Sequence, residues 1–165
     1  MIFREFKTSK SIISKMFTED AKILMMSEDG LSQTYVKISE VKAGDTAVSA
    51  KTGKPVTVVH CGYKVQSCTR LCNVKKDAFG ENCPFEDVVA IDSVRIMMSI
   101  LNTKNTTSFP LLLFPEKAHG LYFINRTKFY TVDLEDNHEG VIVCGLPLQP
   151  LESNGLWERM GMTPN

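Results

Sequence analysis

Short apolar-rich runs, each cut off by Gly, Pro, Asn or Asp, follow one another along most of this chain, and that punctuation limits the fold more than anything else. Ala21–Met26 ends at the turn signal Glu28–Gly30. Tyr35–Ile38 leads into a second turn at Gly44–Asp45. Thr46–Ala50 and Pro55–Val59 flank Lys51–Lys54 and predict a hairpin. Further strands are expected at Arg70–Val74, Val88–Ile91, Arg95–Leu101, Leu111–Phe114, Leu121–Ile124, Phe129–Leu134 and Val141–Cys144. Tyr130, Val132 and Leu134 alternate with polar Thr131 and Asp133, which predicts one buried and one solvated face for that strand. No long amphipathic helical period and no solenoid or propeller repeat interrupts the pattern. The expected fold class is all-β, a compact arrangement of many short strands.

The strands group into a β-domain over residues 16–148. Before it, residues 1–15 carry Lys7, Lys10 and Lys15 in a Ser/Thr-rich stretch and read as a basic N-terminal arm. After it, residues 149–165 are punctuated by Pro and Gly and read as a tail wrapping the surface, with Trp157 as its anchor.

Composition narrows the function classes. The 165 residues hold 19 Lys+Arg against 19 Asp+Glu, a formal net charge of zero, so a dedicated nucleic-acid binder is not expected. The 43% hydrophobic and 23% charged content is that of a folded domain. No apolar run reaches the roughly 18 residues of a membrane-spanning helix. Met1–Lys10 lacks the continuous apolar stretch of a classical secretion signal, which leads to the expectation of a cytoplasmic, unexported protein.

Cys61, Cys68, Cys72, Cys83 and Cys144 form no paired C-x-x-C repeat, and a disulfide framework is not expected without export. Ordinary buried thiols are the first reading. Zinc held by Cys61, Cys68, Cys72 and Cys83, beside His60, is the alternative, because thiolate and imidazole are the ligands zinc favours. Otherwise no cofactor is called for. His60, His119 and His138 are scattered with no evident triad partner. Hydrolase elbows, phosphate loops and His-Glu-x-x-His helices are absent from the sequence. Asp45 and Asp87 read as turn and strand-end residues.

Three segments, taken in order, resemble the Hint superfamily of inteins and hedgehog autoprocessing domains. The first is Phe17–Leu24 (FTEDAKIL), then the Gly30 turn and Ile38–Asp45 (ISEVKAGD). The second is Ala78–Val88 (AFGENCPFEDV), followed by Val94–Ile96. The third is Phe129–His138 (FYTVDLEDNH), a strand ending in histidine, then Val141–Leu146 (VIVCGL). Together they cover about two-thirds of the chain in the family's order.

The resemblance implies a β-rich Hint fold and a self-catalysed acyl shift at the domain's first residue. There a thiol or hydroxyl attacks the preceding carbonyl, and a middle-motif histidine protonates the scissile amide. This chain departs from that pattern. Met16 stands at the nucleophile position, and a thioether has no proton to lose. Val94 stands at the histidine position, and only His138 of the late motif is retained. The closing segment Leu146–Leu151 (LPLQPL) has no His-Asn pair, and Asn165 follows Pro164 rather than a histidine, which reads as coincidence.

The expected function is therefore a non-catalytic Hint-like structural and interaction module. By family analogy it is a virion component, a minor capsid or capsid-associated protein binding neighbouring subunits. One alternative is self-cleavage by a displaced hydroxyl, Ser11, Ser14 or Thr18. The other is a zinc-binding all-β binding protein.

Overall fold

The computed structural model describes residues 16–66, 69–91, 95–96, 118–123, 126–151 and 155–165. Its strands are β1 (Lys22–Met26), β2 (Gln33–Lys37), β3 (Thr46–Val48), β4 (Pro55–Gln66), β5 (Thr69–Val74) and β6 (Val88–Ile91). They continue as β7 (Arg95–Ile96), β8 (Ala118–Phe123), β9 (Thr127–Leu134), β10 (Val141–Val143), β11 (Leu146–Gln149) and β12 (Thr163–Pro164). The α-helix among these residues is one turn, α1 (Leu156–Arg159). The fold class is all-β, as the turn punctuation requires. The expected strand Leu111–Phe114, the end of Arg95–Leu101 and the basic arm 1–15 lie outside the described residues.

One sheet runs β12-β4-β3-β1-β10-β11-β7, with β2 added to β1 and β9 added to β4; a smaller sheet has the order β6-β5-β8. The β3–β4 hairpin pairs Thr46 with Thr57 and Val48 with Pro55. Its turn is held by the Ser49 hydroxyl, which accepts from the amides of Lys51 and Thr52 and donates to Glu139 Oε2 at 2.6 Å.

The ribbon β4–β9 organises everything else. Its register slips between Val58 and His60. Before that bulge Val56 and Val58 point into the main core; after it Cys61 does, with Tyr63 packed against the same cluster. An extra residue in one strand moves its alternation to the opposite parity. On β9, Tyr130, Val132 and Leu134 face the same core, with Ile23, Val41, Val143 and Leu148. Phe129 instead packs into a second cluster with Met16, Leu71, Leu151, Leu156 and Met160.

This corrects the one-sided strand expected from the alternation. Thr131 and Asp133 are as buried as their apolar neighbours, at 0% and 2% exposure. The reason lies in residues 149–165, which do more than wrap the surface. Leu156, Trp157 and Met160 are buried, and β12 pairs with β4 at Gly62 and Tyr63. The C-terminal segment thus covers the face that period two alone would leave wet. Trp157, the expected anchor, is 4% exposed.

Sequence reading also missed β11. Pro147 cannot donate to a ladder and argues against a strand, yet it faces Ile142 of β10. The connecting turn explains the pairing. Cys144 and Gly145 have φ of 50° and 87°, the two positive angles of a two-residue hairpin whose twist matches the strands. A Cβ on Gly145 would run into the Asn82 carbonyl. Gly145→Ala is expected to lower stability by about 2–3 kcal/mol in urea unfolding, with no change in the urea dependence.

Candidate functional site

Met16 precedes the first family-like segment and is joined to the β4–β9 ribbon by its neighbour Phe17. Phe17 and Tyr130 exchange backbone hydrogen bonds, both 2.7 Å, and the Thr18 amide donates to the Val89 carbonyl at 3.3 Å. Successive side chains of an extended chain point opposite ways. Phe17 therefore enters the main core, and Met16 enters the second cluster at 0% exposure. Every buried member of that cluster, Met16, Leu71, Phe129, Leu151, Leu156 and Met160, is apolar and without a titratable group.

Of the other two family positions, only His138 is described. Val94 lies outside the described residues. His138, expected at a strand end, lies instead in the 3-10 turn Asn137–Glu139 after β9, with its side chain 73% exposed. It meets the carboxylate of Asp136, 3.3 Å from Nδ1, and its own amide donates to the same oxygen at 3.0 Å. That amide holds the exposed Asp136 carboxyl below the usual carboxylate range. The turn rests on the β3–β4 hairpin loop, where the Lys51 amide donates to the Glu139 carbonyl. At the closing segment, the buried Gln149 amide donates to the Leu151 carbonyl at 2.9 Å.

Among the displaced hydroxyls, Ser11 and Ser14 lie outside the described residues. Thr18 lines a cleft of about 490 Å³ with Asp20, Lys22, Glu86 and Asp87, and among the described residues no histidine or cysteine lines it. Lys22 spans the cleft to Glu86 at 2.9 Å. Asp45 follows a turn and Asp87 stands immediately before β6, the turn and strand-end places expected. Asp45 accepts from the Lys42 amide and Asp87 from the Lys76 amide.

The zinc reading gains no support from the thiols whose side chains are described. Cys61 donates to the Ile38 carbonyl and Cys83 to the Gly145 carbonyl, both at 3.4 Å. Burial pushes the Cys61 thiol up to about 12 and the Cys144 thiol up to about 11, so both hold their protons at neutral pH. Cys68 lies outside the described residues, as does the side chain of Cys72. Among the described residues no three His, Cys, Asp or Glu side chains gather as a metal-binding group.

The polar cluster that the fold does assemble was invisible in the sequence. His60 of β4 pairs in register with Asp133 of β9. The imidazole stacks on Trp157, with centroids 5.1 Å apart and planes 11° apart, and Nε2 lies 3.2 Å from Glu158 Oε1. Asp133 accepts from Asn137 Nδ2 at 2.8 Å, and the Asn137 carbonyl oxygen accepts from the Leu134 amide at 2.7 Å. Removal from water raises the Asp133 pKa, against the opposing pull of Asn137 and His60. Beside this pair the Thr131 hydroxyl is buried without a hydrogen-bond partner among the described residues. No local spacing could announce a histidine and a carboxylate 73 positions apart (133 minus 60); only strand register brings them together.

No protein-family model matches the chain, and no curated protein matches it by sequence. Among solved structures, the MchDnaB-1 intein superposes with a TM-score of 0.48 at 11% identity, over 81% of this chain and 98% of that chain. Its N145AA form superposes with a TM-score of 0.47 at 13% identity, over 83% of this chain and 99% of that chain. Among the described residues no helix is long and apolar enough to cross a membrane.

The Asp133 geometry sets a pH dependence. A carboxyl whose folded pKa lies above its unfolded one contributes stability at low pH, and loses it as pH rises from the unfolded value through the folded one. Asp133→Asn keeps an oxygen for Asn137 and removes the buried charge. In thermal melts from pH 3 to 8, the variant should match wild type near pH 3. At pH 7 it should melt about 2–4 °C higher; a lower melting point at pH 7 would mean that the charge itself holds the cluster together.

Proposed function

We propose that this chain is a Hint-like β-domain that has exchanged self-processing chemistry for packing, and that it works as a structural and interaction module. The observation that carries the reading is Met16. At the position where the family resemblance calls for a nucleophile stands a fully buried thioether, enclosed by apolar side chains. A thioether has no proton to lose. The retained family residue His138 is exposed and meets Asp136 in the turn after β9, which fits the same reading. Binding to neighbouring subunits fits a domain whose exposed edge strand β2 pairs on one side only, with β1, among the described residues. The place of such a module in a virion comes from the family resemblance alone.

Intact-mass measurement of the full-length chain after long incubation, with and without a strong thiol, tests the loss of chemistry. One species at 18.5 kDa in both samples is expected. A thiol-dependent loss of an N-terminal fragment ending near Ser14 or Lys15 would overturn the reading and restore self-cleavage by a displaced hydroxyl.

A further inference from the structure

Asn165 meets the body of the domain through contacts that a chance tail residue would not make. Its side-chain Nδ2 donates to the Val41 carbonyl at 2.7 Å and to the Ile38 carbonyl at 2.9 Å, and lies 3.4 Å from Cys61 Sγ. Its backbone amide donates to the Cys61 carbonyl at 3.0 Å. Both hydrogens of the carboxamide are thus used. Only the nitrogen end of an amide can face two carbonyl oxygens, so the partners fix its orientation.

The acceptors are built in advance of the ligand. Ile38 and Val41 bracket the 3-10 turn Ile38–Glu40, which is closed by the Val41 amide donating to the Ile38 carbonyl; both side chains are 0% exposed. Cys61 is fixed in the core, donates its own thiol hydrogen to the Ile38 carbonyl and remains protonated. Next to it Gly62 has no side chain, and a Cβ there would strike the Thr163 carbonyl. The edge of β4 at Gly62 and Tyr63 accepts Thr163 and Pro164 as an added antiparallel strand. Charge discriminates as well. The Asp45 carboxylate lies close enough to Cys61 to help raise its pKa. A carboxylate replacing the amide would face two carbonyl oxygens beside another negative charge.

We propose that the Ile38 and Val41 carbonyls, the Cys61 sulfur and the β4 edge at Gly62–Tyr63 form a peptide-binding site selective for an asparagine carboxamide, whose resident ligand is the chain's own Thr163–Asn165. Strand addition supplies the affinity, and the notch reads the side chain. The site goes beyond the module reading above and holds whether or not the chain self-cleaves. A peptide of the same chemistry supplied in trans competes with the resident segment once that segment is weakened.

The test compares the full-length wild-type chain with the Asn165→Asp and Asn165→Leu variants by amide hydrogen exchange. Both variants should exchange roughly tenfold faster or more at residue 165 and across Cys61–Tyr63, because each removes the Nδ2 donor shared by the Ile38 and Val41 carbonyls. Adding the free peptide Met160–Asn165 in millimolar excess to the Asn165→Asp chain should restore protection across Cys61–Tyr63. The same peptide with Asp in place of Asn should not. Wild-type exchange rates in the Asn165→Asp chain, or equal protection by the two peptides, would overturn the proposal. The wild-type protein gives a reading that needs no variant to fold. Its Asn165 side-chain amide protons should exchange at least about tenfold more slowly than in the free peptide, and equal rates would also overturn it.

Discussion

A two-stranded ribbon buried on both faces at its centre, around Cys61, Gly62, Thr131 and Val132, is the constraint from which the rest of this structure follows. Among the described residues, β4 and β9 share the most extensive pairing, eight registered partners from Val58–Leu134 to Gln66–Thr127. A flat strand pair would offer one face to the core and one to water. The bulge between Val58 and His60 exchanges the parity of β4, so Val56, Val58 and Cys61 all serve the main core while His60 and Gly62 turn to the other side. That second face must then be covered. The segment from Leu151 to Asn165 covers it with Leu156 and Met160 against Met16 and Phe129, Trp157 on His60, and β12 against Gly62.

Chemistry and packing compete for the same place in this arrangement. A nucleophile needs a base within hydrogen-bond reach and room for the bond it attacks. At Met16 the second cluster closes on the side chain from four parts of the chain: β5, β9, Leu151 and the α1 turn. A long unbranched thioether fills such an irregular space well. That burial makes the position a contributor to stability. The polar pair His60–Asp133 sits on this face too, and it is bound up with holding down Trp157 and Glu158.

Local chemistry was legible in the sequence, and long-range consequence was not. The hairpin at Lys51–Lys54, the turn and strand-end roles of Asp45 and Asp87, the burial of Cys61 and Cys144 and the anchoring by Trp157 all follow from residue type and spacing. Thr131 and Asp133 were misread as a solvated face because period two reports alternation, not what lies on either side of a strand. β11 hid behind Pro147, and His138 was assigned to a strand that ends at Leu134. The clearest loss was Asn165. Read with Pro164 it is an ordinary polar residue, and its partners Ile38, Val41 and Cys61 lie more than a hundred positions away. At the candidate site the sequence named Met16 as chemically silent, but only the fold reveals that it is core.

The most direct test of that exchange is equilibrium urea unfolding of Met16→Ser beside wild type. The substitution restores a hydroxyl at the nucleophile position and removes a side chain with no exposed surface. If packing has replaced chemistry there, the variant loses about 3–5 kcal/mol of stability, from the emptied volume and the buried hydroxyl together. A variant as stable as wild type would contradict the account, since Met16 would then contribute nothing to the core it occupies.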